Sequence, residues 1–217
     1  MRELDLLGGN ISTTVDNPAN SVGQHTSIAI APDGLPVISH YNSTANALRV
    51  TKCGNAACTA GNVSTNADTP ANSVGLLTSI AIGADGLPVV SHRDDTAGAL
   101  RVTKCGNAAC SAGNVSTTVD DPPTGAGFYP SLAIGADGLP VISHGLAPGG
   151  SRSLRVTKCG NPACTAGNVS TSLDGVVSDQ VRYTSIAIGR DMLPVISYQN
   201  WAGGGLGVIK CGTQTCR

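Results

Sequence analysis

Four near-copies of one segment constrain this chain more than any other feature. Segments beginning at Asn10, Asn62, Asn114 and Asn168 repeat the same order of apolar runs and turns. SIAIAPDGLPVISH (Ser27 to His40) and SIAIGADGLPVVSH (Ser79 to His92) fix the register between copies. A period of roughly 50 residues marks a repeat architecture, in which each unit cannot bury its apolar face alone and stacks on its neighbours.

Each repeat carries four strand signals. The first is Ser-Ile-Ala-Ile (Ser27 to Ile30 and its copies), with β-branched residues at alternate positions. An Asp-Gly turn follows at Asp33-Gly34, Asp85-Gly86 and Asp137-Gly138, a strong hairpin signal between apolar runs. The fourth repeat has Asp191-Met192 there, which predicts a turn of different detail. The second strand is LPVIS (Leu35 to Ser39), its proline near the start, where a missing N–H is tolerated. The third is LRVTKC (Leu48 to Cys53), and a cysteine-bracketed turn leads to the fourth, as in NVSTTVD (Asn114 to Asp120). No stretch shows helical periodicity, and Gly, Pro, Asn and Thr punctuate every join.

Four consecutive antiparallel strands per repeat predict an all-β, four-bladed β-propeller as one domain over 1–217. The chain opens with a fourth-type strand, Asn10 to Asp16, and its last repeat stops after the third strand, Leu206 to Cys211. The N-terminal strand is therefore expected to complete the last blade and close the ring, removing the open edge. Near-identical blades also permit a strand-swapped homo-oligomer, with the closed monomer favoured.

Eight cysteines fall into four local pairs: Cys53/Cys58, Cys105/Cys110, Cys159/Cys164 and Cys211/Cys216. Each pair brackets one turn and lacks the second Cys or His pair that zinc spacing requires, so disulfides are favoured over zinc. Each bridge is expected to pin its own turn. Rings this short contribute roughly 2 kcal/mol each in the chain-entropy model. Disulfides imply oxidising surroundings, hence an extracellular, secreted protein whose signal peptide is absent from this sequence. A net charge of −1 gives no footprint for nucleic acid, and no apolar run is long enough to insert in a membrane.

Strand order places the first-to-second and third-to-fourth connections on one rim, and the remaining loops on the other. The first rim is nearly constant. The second differs in every blade: YNSTANA (Tyr41 to Ala47), RDDTAGA (Arg93 to Ala99), GLAPGGSRS (Gly145 to Ser153) and QNWAGGG (Gln199 to Gly205). Interblade loops also diverge just before the first strand, at Gln24-His25, Leu76-Leu77, Phe128-Tyr129 and Arg182-Tyr183. All the aromatics and histidines lie on or beside this variable rim, where a rigid scaffold presents binding residues. The densest group, Phe128, Tyr129, Arg182, Tyr183, Tyr198 and Trp201 with His144, is the expected ligand-binding site.

His40, His92 and His144 recur at one position and are expected to hydrogen-bond locally, too far apart to share a metal. Arg49, Arg101 and Arg155, with Asp16, Asp68 and Asp120, suit interblade pairing, and Lys52, Lys104, Lys158 and Lys210 are expected to be solvated. Asn10, Asn42, Asn62, Asn114 and Asn168 fit glycosylation sequons, and the NVS copies among them are preferred as simple strand starts. No catalytic motif is evident. Asp94, Asp95, Asp121 and Asp179 lie on the variable side without a convincing pair across a cleft.

Repeats of the form SIAIGADGLPVISH…LRVTKCGNAAC resemble those of secreted bacterial propeller arrays, over essentially the whole chain. The Trp-Asp signature of WD40 blades is absent, as is the full Asp-box of sialidases, and no hemopexin-type motif is present. The sequence thus leads to a non-enzymatic extracellular module, without cofactor or metal, holding a protein or cell-surface partner. The alternatives are a lectin with a site on blades three and four, or, third, a glycan-cleaving hydrolase.

Overall fold

The computed structural model describes residues 9–19, 21–147, 153–173, 181–200 and 204–217. Among the described residues, fifteen strands form four antiparallel sheets. Blade one holds β1 (Val22–Ile30), β2 (Pro36–Asn42), β3 (Ala47–Lys52) and β4 (Val63–Asp68). Blade two holds β5 (Val74–Ile82), β6 (Pro88–Asp94), β7 (Ala99–Lys104) and β8 (Val115–Asp120). Blade three holds β9 (Phe128–Ile134), β10 (Pro140–Leu146), β11 (Ser153–Lys158) and β12 (Val169–Ser172). Blade four holds β13 (Val181–Ile188), β14 (Pro194–Asn200) and β15 (Gly205–Lys210). Strands pair in sequence order within each sheet, as the repeat requires of a propeller blade.

The blades are joined by one set of contacts made three times. Leu48 and Val50 of β3 pack on Ile80 and Val90 of the next blade, and the Cys105–Cys110 bridge joins this core. Leu100 and Val102 repeat the contact against Leu132, Ile142 and Cys159–Cys164. Leu154 and Val156 repeat it against Ile186, Ile196 and Cys211–Cys216. Polar groups fix the same spacing. The backbone N–H groups of Ile80, Leu132 and Ile186 donate to the hydroxyls of Ser27, Ser79 and Ser131 at 3.2, 3.0 and 3.1 Å. Arg101 bonds Asp68 of the preceding blade, and Arg155 bonds Asp120, in the expected interblade pairing.

All four expected cysteine pairs are bridged: Cys53–Cys58, Cys105–Cys110, Cys159–Cys164 and Cys211–Cys216. The second cysteine of each pair, Cys58, Cys110, Cys164 or Cys216, takes a left-handed φ of 55°, 52°, 55° or 54°. The turns are also held by Asn62, Asn114 and Asn168. Each amide accepts from the glycine after the first cysteine, at 3.2 Å, and donates to the second cysteine carbonyl. These asparagines are strand starts with a turn-locking task.

Four expectations change. First, the bridges are not equivalent turn pins. Three of them also pack into the core shared with the preceding blade, whereas Cys53 and Cys58 belong to none of the three interblade cores. Among the described residues no β3-type strand of another blade packs against Cys58.

Second, Lys52, Lys104 and Lys158 are buried, their stems lying on the sheet, and each ammonium pairs at 2.9 Å with Asp33, Asp85 or Asp137 in the neighbouring turn. They are not a solvated set, because a buried ammonium needs the fixed carboxylate. Lys210, paired to Asp191 at 2.7 Å, alone stays open to solvent. Hydrogen bonding from Lys52 and Lys210 holds Asp33 and Asp191 below the ordinary carboxylate range.

Third, the Asp191-Met192 turn does not differ from the Asp-Gly turns. Met192 takes φ 66° where Gly34 has 78°, and each donates the closing bond at 2.9 Å. Fourth, residues 9–16 form no strand, and among the described residues the fourth sheet has three strands rather than four. The N-terminal segment is held instead at blade one, where Asp16 accepts from Arg49 Nη2 at 3.0 Å.

Candidate functional site: the axial pocket

The first strand of every blade is interrupted at one place. Pairing of β1, β5, β9 and β13 with their neighbours skips register just before the recurring Ser-Ile/Leu-Ala-Ile run. An extra residue bulges there and re-aims its side chain. The bulged residues are His25, Leu77, Tyr129 and Tyr183, with φ of 56°, 54°, 48° and 51°. Left-handed backbone is unfavourable for such side chains, at roughly 1–3 kcal/mol each, and strain of this kind gathers at functional sites. None of the four is glycine.

These four residues and their successors, Thr26, Thr78, Pro130 and Thr184, line one cavity of 560 Å³. Every blade contributes the same two positions, so the cavity lies where the four first strands converge. In blades two and four the second residue of the pair anchors the wall. Thr78 donates to the His25 carbonyl at 2.7 Å, and Thr184 donates to the Tyr129 carbonyl at 2.8 Å. The Tyr129 and Tyr183 rings meet at 4.6 Å between centroids, tilted by 50°. His25 lies 6.4 Å from the Tyr41 ring. The wall is mainly apolar, with an imidazole and two phenols as its acid–base groups.

The structure divides the expected binding residues. Tyr129 and Tyr183 stand together in the pocket. Phe128 sits one residue outside it, with the Arg93 guanidinium 3.8 Å above its ring. Arg93 is itself tied to Asp95 at 2.9 Å and to the Ala126 carbonyl. Arg182 is half-buried on β13, opposite Gln199. Trp201 lies outside the described residues.

His144 is a correction, and Tyr198 is mainly a core residue. His144 is fully buried, accepts from Gly127 N–H at 3.3 Å and meets Thr157 Oγ1 at 3.0 Å. It joins β10, β11 and the incoming loop rather than facing a ligand, as His40 and His92 do in their blades. Burial lowers the imidazoles of His92 and His144 to about 4 and about 3, with Asp68 opposing the shift at His92. Tyr198 is buried in the core of the last blade, its ring filling space above Gly207. Its edge also borders a second cavity of 580 Å³ with Tyr183, Gln199 and Leu206.

The acids also fall into structural roles. Asp94 is buried, accepting from Asn72 at 3.0 Å and from Ala97 N–H at 2.8 Å. Asp95 holds Arg93, and Asp179 lies outside the described residues. Among the described residues, no cluster of His, Cys, Asp or Glu could hold a metal ion.

Sequence reasoning missed His25 and Leu77. The signal was present, since the two residues preceding each Thr/Pro-Ser pair differ in all four blades. Attention to aromatic density favoured blades three and four over the axial equivalence of all four.

No protein-family model matches the sequence, and no curated protein matches it. Solved structures do. An α-L-arabinofuranosidase from Clostridium thermocellum aligns with TM-score 0.53 at 15% identity, covering 85% of this chain and 67% of that one. An arabinoxylan arabinofuranohydrolase from Bacillus subtilis, solved with cellotetraose, gives 0.57 at 14%, covering 90% and 51%. A protein of unknown function from Dyadobacter fermentans gives 0.62 at 10%, covering 85% and 59%. The chain thus spans between about half and two thirds of these neighbours' lengths. At such identities the likeness establishes the propeller-type fold. The expectation of a non-enzymatic module is corrected by these neighbours, whose printed activities include arabinofuranosidase, arabinoxylan arabinofuranohydrolase and sialidase.

Proposed function

We propose that this protein is a glycan-cleaving hydrolase whose substrate occupies the axial pocket. The observation carrying the reading is the strained quartet, His25, Leu77, Tyr129 and Tyr183, around a cavity in a fold shared with glycan hydrolases. A cavity of 560 Å³ has room for a sugar ring.

Two carboxylates are the usual apparatus of glycoside cleavage, but tyrosine serves as nucleophile in some enzymes. Among the described residues lining this pocket there is no carboxylate. Its chemistry therefore rests on Tyr183, exposed at the mouth beside Tyr129. Tyr183 Oη attacks the anomeric carbon while its proton passes by way of the His25 imidazole to the departing glycosidic oxygen. An imidazole is the side chain suited to proton transfer near neutral pH. Water then releases the sugar and restores both groups. The tilted Tyr129 ring offers a stacking wall for the apolar face of the sugar.

The four disulfides support a place of action outside the reducing cytoplasm. No helix among the described residues is long and apolar enough to cross a membrane. The test is phenol release from aryl arabinofuranosides, galactosides and sialosides. Turnover on one class, inhibited by the matching free sugar, supports the proposal. Absence of turnover on all three defeats it.

A further inference from the structure

A ring of four blades needs four interblade contacts, and three are made within this chain. The two surfaces that would make the fourth are bare. Leu48, Leu100 and Leu154 are 0% exposed, as are Val50, Val102 and Val156. Leu206 and Val208 hold the same positions on β15 and are 81% and 62% exposed. At the other end Ile28 is 61% exposed, whereas Ile80, Leu132 and Ile186 at the equivalent position are nearly covered. Ile30 beside it is 60% exposed.

Among the described residues β15 is also the last strand of a three-stranded sheet. Meanwhile Asn10 to Asp16 reads NISTTVD, one residue different from the fourth strand NVSTTVD at Asn114 to Asp120. That segment has no strand partner among the described residues. Asp16 nevertheless meets Arg49 as Asp68 meets Arg101, so it lies against blade one as a preceding blade's last strand would.

We propose that a second copy of this chain fills the seam. The Asn10 to Asp16 segment of each copy adds to β15 of the other, and Ile28 and Ile30 of each cover Leu206 and Val208 of the other. The two ends are the two halves of a contact the chain already makes three times, so another copy is a partner whose complementarity is on the page. The register follows from blade one, where Leu48 faces Asp68, Val50 faces Thr65 and Thr51 faces Ser64. Leu206 is then opposite Asp16, Val208 opposite Thr13 and Ile209 opposite Ser12. Two such joins related by a two-fold axis close on each other, and no strand edge is left open. The 580 Å³ cavity lined by Leu206 and Tyr183 flanks this seam, so the second copy forms one wall beside the axial pocket.

Light scattering on the eluting protein tests the proposal. The unaltered chain is expected at twice its 21.6 kDa mass. Leu206→Asp and Ile28→Asp, both at exposed positions, are each expected to give a single chain with unchanged far-UV dichroism. A monomeric unaltered protein at micromolar concentration overturns the proposal, and so does a dimer that survives both substitutions. If either variant fails to fold, hydrogen exchange on the unaltered protein decides. Protection of the 206–210 amides that falls on dilution supports the seam, and protection independent of concentration contradicts it.

Discussion

The Tyr198 ring lies against the backbone of Gly207, its cross-strand partner, so closely that a Cβ at 207 would collide with it. In the other blades the same pair of positions is His40 opposite Arg49, His92 opposite Arg101 and His144 opposite Arg155. There the imidazole is buried and the guanidinium reaches Asp16, Asp68 or Asp120. Loss of the arginine and gain of the tyrosine in blade four are one compensated change.

Gly207→Ala is therefore expected to overpack the last blade and cost about 1–3 kcal/mol. Thermal denaturation checks this. The double change Tyr198→His with Gly207→Arg is expected to recover most of the loss, because it restores the pair used three times elsewhere.

Met192→Gly is expected to stabilise the protein by about 1 kcal/mol. Met192 is exposed and holds a left-handed φ of 66° that the other blades assign to glycine, and that conformation costs an L-residue roughly 1–2 kcal/mol. Denaturant midpoints of the two proteins measure the difference. An equal or lower midpoint would mean the side chain makes a contact that offsets the strain.

Stability is expected to fall as pH drops from 6.5 to about 4. His92 and His144 are buried neutral, accept backbone N–H bonds at Nδ1, and have folded-state values of about 4 and about 3 against 6.5 when exposed. The unfolded chain binds protons in that window and the folded chain does not, so their contribution is complete above 6.5 and is lost on acidification. Melting temperature against pH reads this directly. His92→Gln is expected to start less stable and to show a shallower acid slope.

His25→Gly is expected to raise stability by about 1 kcal/mol while removing the proton donor of the axial pocket. Relief of a φ of 56° favours the variant, and the side chain is exposed, so little packing is lost. A gain in melting temperature with lost turnover is the signature of strain kept for function.

The blades were legible because the repeat fixes register four times. Apolar alternation in Ser-Ile-Ala-Ile and the Asp-Gly turns give local structure without tertiary information, and the cysteine pairs bracket single turns. What escaped depends on relations between blades. Cys58 and Cys110 sit in identical CGNAAC turns, yet of the two only Cys110 packs in an interblade core among the described residues. Burial of Lys52 and its copies follows from a turn carboxylate folding back beside the strand, and Met192 is tolerated because the closing hydrogen bond enforces the turn. His144 read as a rim residue because it precedes a variable loop, yet Thr157 and Gly127 hold it inside. The axial pocket was hidden by a bulge, which period-two reasoning does not register: one extra residue turns His25 and Tyr183 toward the centre.

Turnover by axial variants tests the account most directly. Tyr183→Phe and His25→Ala should each lower kcat on the cleaved aryl glycoside by about 10²-fold or more. Asp85→Ala on the constant rim should leave kcat within a few-fold. Full activity in both axial variants, or loss only in the constant-rim variant, would contradict the placement of chemistry in this pocket.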